Sequence, residues 1–141
     1  MMFADSSRDD LRRRYLAAWQ RRRDGLPLTS LDAEIADVIE LHPEYQALLE
    51  NAEALATEFT VEQGRVNPFL HMGLHLGLRE QLATRRPAGI EQIHARLAAK
   101  LGDLHAAEHR MIEVLAETLW EAQRTGQAPD EQRYLERLRQ L

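Results

Sequence analysis

The sequence predicts an all-α protein: a compact bundle of six or seven helices, mostly antiparallel. Three observations lead there. Apolar residues recur at three- and four-residue spacing along most of the chain. Capping residues and prolines open the periodic stretches, and glycines close them. The connections between them are short, which suits antiparallel neighbours.

Each element follows in order. Ser7, with Asp10 three residues later, resembles a capping box. Leu11, Tyr15, Ala18 and Trp19 then form a helical stripe, and Gly25 is a stop. Thr29 or Ser30 caps a second helix with Leu31, Ile35, Val38 and Ile39 on one face. His42 falls on the same face. Pro43 follows, ending that helix or starting a short third one over Pro43 to Glu50. Residues 51–66 are the least regular part, and EFTVEQGRV reads as a short extended piece. Asn67-Pro68 is a strong start, an N-cap followed by proline at the first helical position, for a helix to about Thr84. Arg86-Pro87-Ala88-Gly89 is a turn. A helix from Ile90 to Leu101 ends at Gly102. Asp103 caps a long helix to about Arg124, closed by Gly126, and Pro129-Asp130 opens the last one. No repeat, low-complexity tract or domain boundary stands out, so residues 1–141 read as a single domain.

Composition bounds the function. The 141 residues are 44% apolar and 29% charged, ordinary for a soluble globular chain. No apolar run approaches a membrane span, and MMFADSSRDDLRRR lacks the apolar core of a signal peptide. The expected compartment is the cytoplasm. The absence of cysteine excludes disulfides, thiolate catalysis, iron–sulfur clusters and zinc fingers. The net charge of -5 argues against nucleic acid as a partner. Lys100 is the single lysine among 18 basic residues. Arg12–Arg14 and Arg21–Arg23 make the first helix basic, but Asp9, Asp10 and Asp24 flank it, and a solvated face is the favoured reading. Trp19, Trp120, Tyr15 and Tyr134 read as core or interhelix contacts. Gly64, Gly89 and Gly102 are isolated, so nothing resembles a phosphate-binding loop, and no nucleotide or organic cofactor is indicated.

The chemistry concentrates in histidines. In NPFLHMGLHLGLREQ, His71 and His75 lie about 40° apart on one helical face, with Leu74, Leu78 and Leu82. Gly73 and Gly77 fall on another side and would admit a close neighbour. In DLHAAEHRMIEVLAETLWEAQ, His105 and His109 repeat the spacing, and Ile112, Ala116, Leu119 and Gln123 continue their face. Glu113 follows one turn after His109. Four-residue spacing stacks side chains close enough to ligate one ion. Imidazole with a carboxylate fits zinc or iron best. The expected ligands of one transition-metal ion are therefore drawn from His71, His75, His105, His109 and Glu113, of which a mononuclear site would use three or four. Glu80 and Glu108 would orient imidazoles, and His42 is a further candidate. Hydrolytic and redox chemistry are both open to such an ion.

Other readings stand beside this one. A non-catalytic interaction module would use the same histidines as a buried hydrogen-bond network, with the basic first helix or a homo-oligomer surface doing the work. HAAEH also matches the inverted zinc-protease pattern, with Glu108 activating water, but a five-residue match in a Glu-rich helix is a weak signal. Glu91 and His94 have the spacing of a di-iron Glu-x-x-His pair, but no second pair matches. His94 is expected on a partly exposed face.

NPFLHMGLHLGLREQ, then RRPAGI, then GDLHAAEHRMIEVLAETLWEAQRTGQAPD resembles a family of small bacterial proteins known only as a domain of unknown function. LHPEY fits it too. The resemblance runs from about Arg8 to Leu138 and rests on NPFLH-x3-H-x4-EQ and H-x2-EH. It implies a bacterial protein and brings no activity. The matching positions are His42, Asn67, Pro68, His71, His75, Glu80, Gln81, His105, Glu108, His109 and Glu113. The family pattern implies a histidine after LHPEY, where this chain has Gln46.

Overall fold

The computed structural model describes residues 3–51 and 67–141, with side chains from residue 9 onward. The piece expected in EFTVEQGRV lies outside the described residues. The fold is all-α, with seven helices among the described residues: α1 (Phe3–Arg23), α2 (Ser30–Glu40), α3 (Pro43–Leu49), α4 (Pro68–Thr84), α5 (Ile90–Leu101), α6 (Leu104–Thr125) and α7 (Glu131–Arg139). None is long and apolar enough to cross a membrane. The contacts cluster into two units, residues 1–73 and 74–141, with the division inside α4.

The helix ends form where local chemistry places them. Thr29 accepts from the Asp32 amide, Asp103 from His105 and Asp130 from Arg133. Gly102 and Gly126 close α5 and α6 in the left-handed region that glycine adopts without strain. Gly25, with φ 68°, follows the end of α1. Ser7 is the exception. It lies inside α1, which begins at Phe3, and so does not mark the helix start that the sequence suggests.

In the first unit, α1 packs on α2, and α3 packs on both. Tyr15, Ala18 and Trp19 are buried with Ile35, Val38 and Ile39, as the stripes predict. Two positions depart from expectation: Leu11 is 52% exposed and Leu31 is 45% exposed. The buried face of α1 is rotated so that Arg12 turns inward, its guanidinium 4.7 Å from the centre of the Phe69 ring. Arg12 is thus no part of a solvated face. Arg14 binds Asp32 at 3.0 Å, and Arg22 binds Asp37 and Glu40 at 2.8 and 2.9 Å. The basic character of α1 is answered largely by α2. Such exposed pairs add little stability, but they remove charge that an acidic partner would need.

In the second unit, one apolar cluster joins Leu78 of α4 to Ile90, Ile93 and Leu97 of α5, to Met111 and Leu115 of α6, and to Tyr134 and Leu138 of α7. Leu74 and Leu82 pack against it, as their shared face predicts. Trp120 departs from the core reading: it is 58% exposed, with Arg124 stacked 4.8 Å from its ring. Leu119 is exposed as well. A Cβ on Gly77 would meet Leu115 at an ordinary 3.9 Å, so no unusually close approach depends on that glycine.

The start of α4 carries a first prediction. The Asn67 Oδ1 accepts from the backbone amides of Phe69 and Leu70 at 3.0 and 3.2 Å. Asn67→Ala should therefore cost about 1 kcal/mol. Urea unfolding monitored by circular dichroism would read this as a lower midpoint with an unchanged slope.

Candidate metal centre

Helix α4 presents two histidines one turn apart. Pro68 at its first position and the Asn67 cap set its phase, and the first backbone bond runs from the His71 amide to the Asn67 carbonyl at 3.1 Å. His71 belongs to the first unit and His75 to the second.

In the first unit His71 meets His42. His42 is the residue before Pro43, where proline restricts the backbone and α2 gives way to α3. Its ring is buried. Its Nδ1 lies 2.7 Å from the Val38 carbonyl. A carbonyl only accepts, so the proton is on Nδ1, and a neutral ring then carries its lone pair on Nε2. That Nε2 is 3.2 Å from Nε2 of His71, with the two rings nearly perpendicular at 82°. Tyr45 stacks on His42 with its ring centre 5.4 Å away. Gln46 donates to the Ile39 carbonyl at 3.3 Å.

In the second unit His75 meets α6. It is fully buried, and its Nδ1 donates to Glu108 Oε1 at 2.7 Å. Arg79, one turn further along α4, donates to the same oxygen from Nε at 3.0 Å. Burial alone would raise the Glu108 pKa. The hydrogen bonds from His75 and Arg79 outweigh it and hold the carboxyl at about 2. Glu108 is therefore a fixed anion that keeps the His75 proton on Nδ1. His109 lies against His75, ring centres 4.8 Å apart, and the two have ligand atoms within that same distance of each other. His105 stacks on His75 at 5.5 Å and meets His109 edge-on at 4.1 Å.

The sequence-predicted residues are distributed as follows. In the first unit His71 lies against His42, and in the second His75 and His109 lie against each other. His105 packs against His75 and His109. Glu108 accepts from His75 at 2.7 Å. Glu113 and Glu80 are exposed and are not brought to the histidines. His94 is partly exposed, as its helix face predicts. Sequence reasoning missed Arg79 and Tyr45. Arg79 was within reach of it, because it lies four residues after His75 and therefore on the same face.

Residues 7–140 match the family described as Domain of unknown function (DUF1841), in agreement with the resemblance carried by the histidine motifs. No curated protein and no solved structure matches the chain.

Proposed function

We propose, for a chain that belongs to the DUF1841 family, that it is a metal-binding protein whose ligands are histidines on and beside α4. The observation that carries the reading is the orientation of the imidazoles. His42 gives its Nδ1 proton to a backbone carbonyl, and His75 gives its own to a carboxylate. These are the partners that metal-bound histidines use, and they leave Nε2 as the donor atom. The separation of His42 and His71 supports it further. A tetrahedral ion with metal–nitrogen bonds of about 2.05 Å sets neighbouring nitrogens about 3.3 Å apart. The two Nε2 atoms are 3.2 Å apart.

The candidate ligands in the first unit are His71 on α4 and His42 beside it, and in the second unit His75 on α4 and His109 beside it. Glu108 and Arg79 would hold the His75 ring in place. Neutral nitrogen donors without cysteine favour zinc or iron. Glu108 would not activate water as the inverted protease pattern requires. A carboxyl held at about 2 by two donors is a weak base at neutral pH.

A second reading has its own observation. The 3.2 Å contact also fits a hydrogen bond from His71 to His42, as in a purely structural network. Metal content separates the two. Protein made without a histidine tag, analysed by inductively coupled plasma mass spectrometry, should hold about one equivalent of zinc or iron. The His71→Ala/His109→Ala double variant, shown to be folded by circular dichroism, should hold none. A wild-type chain that stays metal-free after reconstitution would establish the network instead.

A further inference from the structure

The second unit contains a cavity that shares none of these histidines. It has a volume of about 830 Å³, within the range of small-molecule sites. It lies among the C-terminal end of α4, the turn that follows, α6 and the start of α7. Pro87, Leu115, Leu119 and Pro129 form its apolar wall. Leu119 is 41% exposed despite lining a concave surface.

The polar groups of the lining are mostly donors. Arg85 and Arg86 are among the lining residues, and neither guanidinium has an acidic partner among the described residues. Elsewhere, Arg14, Arg22, Arg79 and Arg137 are all paired with carboxylates. Tyr134 donates its hydroxyl to Gln81 Oε1 at 2.7 Å, which occupies the acceptor of that amide and leaves its nitrogen as a donor. Burial pushes the Tyr134 hydroxyl well above its ordinary range, so it remains a protonated donor. Glu131 is the one carboxylate of the lining, so two arginines leave it net positive.

We propose that this cavity binds a small organic carboxylate with an apolar body, the carboxylate on Arg85 and Arg86 and the body against Leu115 and Leu119. The pairing follows from chemistry. A guanidinium matches a carboxylate's paired oxygens, and the apolar wall gains only from a ligand that brings apolar surface to it.

The test is isothermal titration calorimetry of the full chain with 1-naphthoate, beside naphthalene-1-methylamine and inorganic phosphate. Naphthoate should bind, and the amine and phosphate at least ten-fold more weakly. Arg85→Gln/Arg86→Gln should weaken naphthoate binding ten-fold or more, and because both side chains are exposed the variant should fold. Naphthoate binding that the double variant leaves unchanged would overturn the proposal. So would tighter binding of the amine, which would assign the site to a cation on Glu131. Phosphate binding as tightly as naphthoate would reduce the site to an anion cradle and overturn the role of the apolar wall. No heat with any of the three, confirmed by unchanged amide chemical shifts, would also overturn it.

Discussion

Replacing Glu108 with alanine should destabilise the protein by about 3 kcal/mol. The carboxylate is 9% exposed in its side chain and receives hydrogen bonds from His75 and Arg79. Its removal leaves a fully buried imidazole and a half-buried guanidinium without the acceptor they share. The full desolvation cost of those groups then counts against the folded state. The same contact sets a pH dependence. The folded pKa of about 2 lies below the ordinary 4.5, so the unfolded chain takes up the proton first as acid is added. The stabilisation is complete above pH 4.5 and is lost as the pH falls from there towards 2. Urea midpoints measured at pH 6 and pH 3 on metal-free protein would show a steeper fall for wild type than for Glu108→Gln. Equal slopes for the two chains would mean that Glu108 is not held as described.

Leu78→Ala should cost 3 kcal/mol or more, near the ~3–5 kcal/mol found for fully enclosed leucines. Leu78 is fully buried in a cluster to which α4, α5, α6 and α7 all contribute. A void there would lie among side chains anchored on four helices, which limits how far any of them can move to fill it. Leu78→Met, which keeps the volume, should cost less than about 1.5 kcal/mol. Leu70, on the same helix but 63% exposed, should tolerate alanine within about 0.5 kcal/mol. A common urea series on the three variants reads all of these differences. Similar losses at Leu70 and Leu78 would show that helix propensity, and not burial, dominates α4.

These two residues also divide what local sequence encodes from what it does not. The helices and nearly all their ends were legible in the local sequence. Thr29, Asn67-Pro68, Asp103 and Asp130 open helices, and Gly102 and Gly126 close them, because a cap involves only residues two to five apart. The shared face of His71 and His75 was legible too, since one helical turn relates them. Ser7 shows the boundary of that reasoning, because a good capping residue inside a longer helix is simply passed over.

Which of the inward-facing polar residues meet depends on the packing of the helices. Glu108 and Glu113 are both acidic residues beside histidines in α6, but one is buried against His75 and the other is exposed. His42 reaches His71 across a gap of 29 residues in sequence. Periodicity places a residue on a side of its own helix to within about a third of a turn, which also allows Arg12 to take the inward place expected of Leu11. It carries no information about which neighbour that side faces. That is decided by how the apolar faces pack together, and the polar partners are those that this packing leaves within hydrogen-bonding distance.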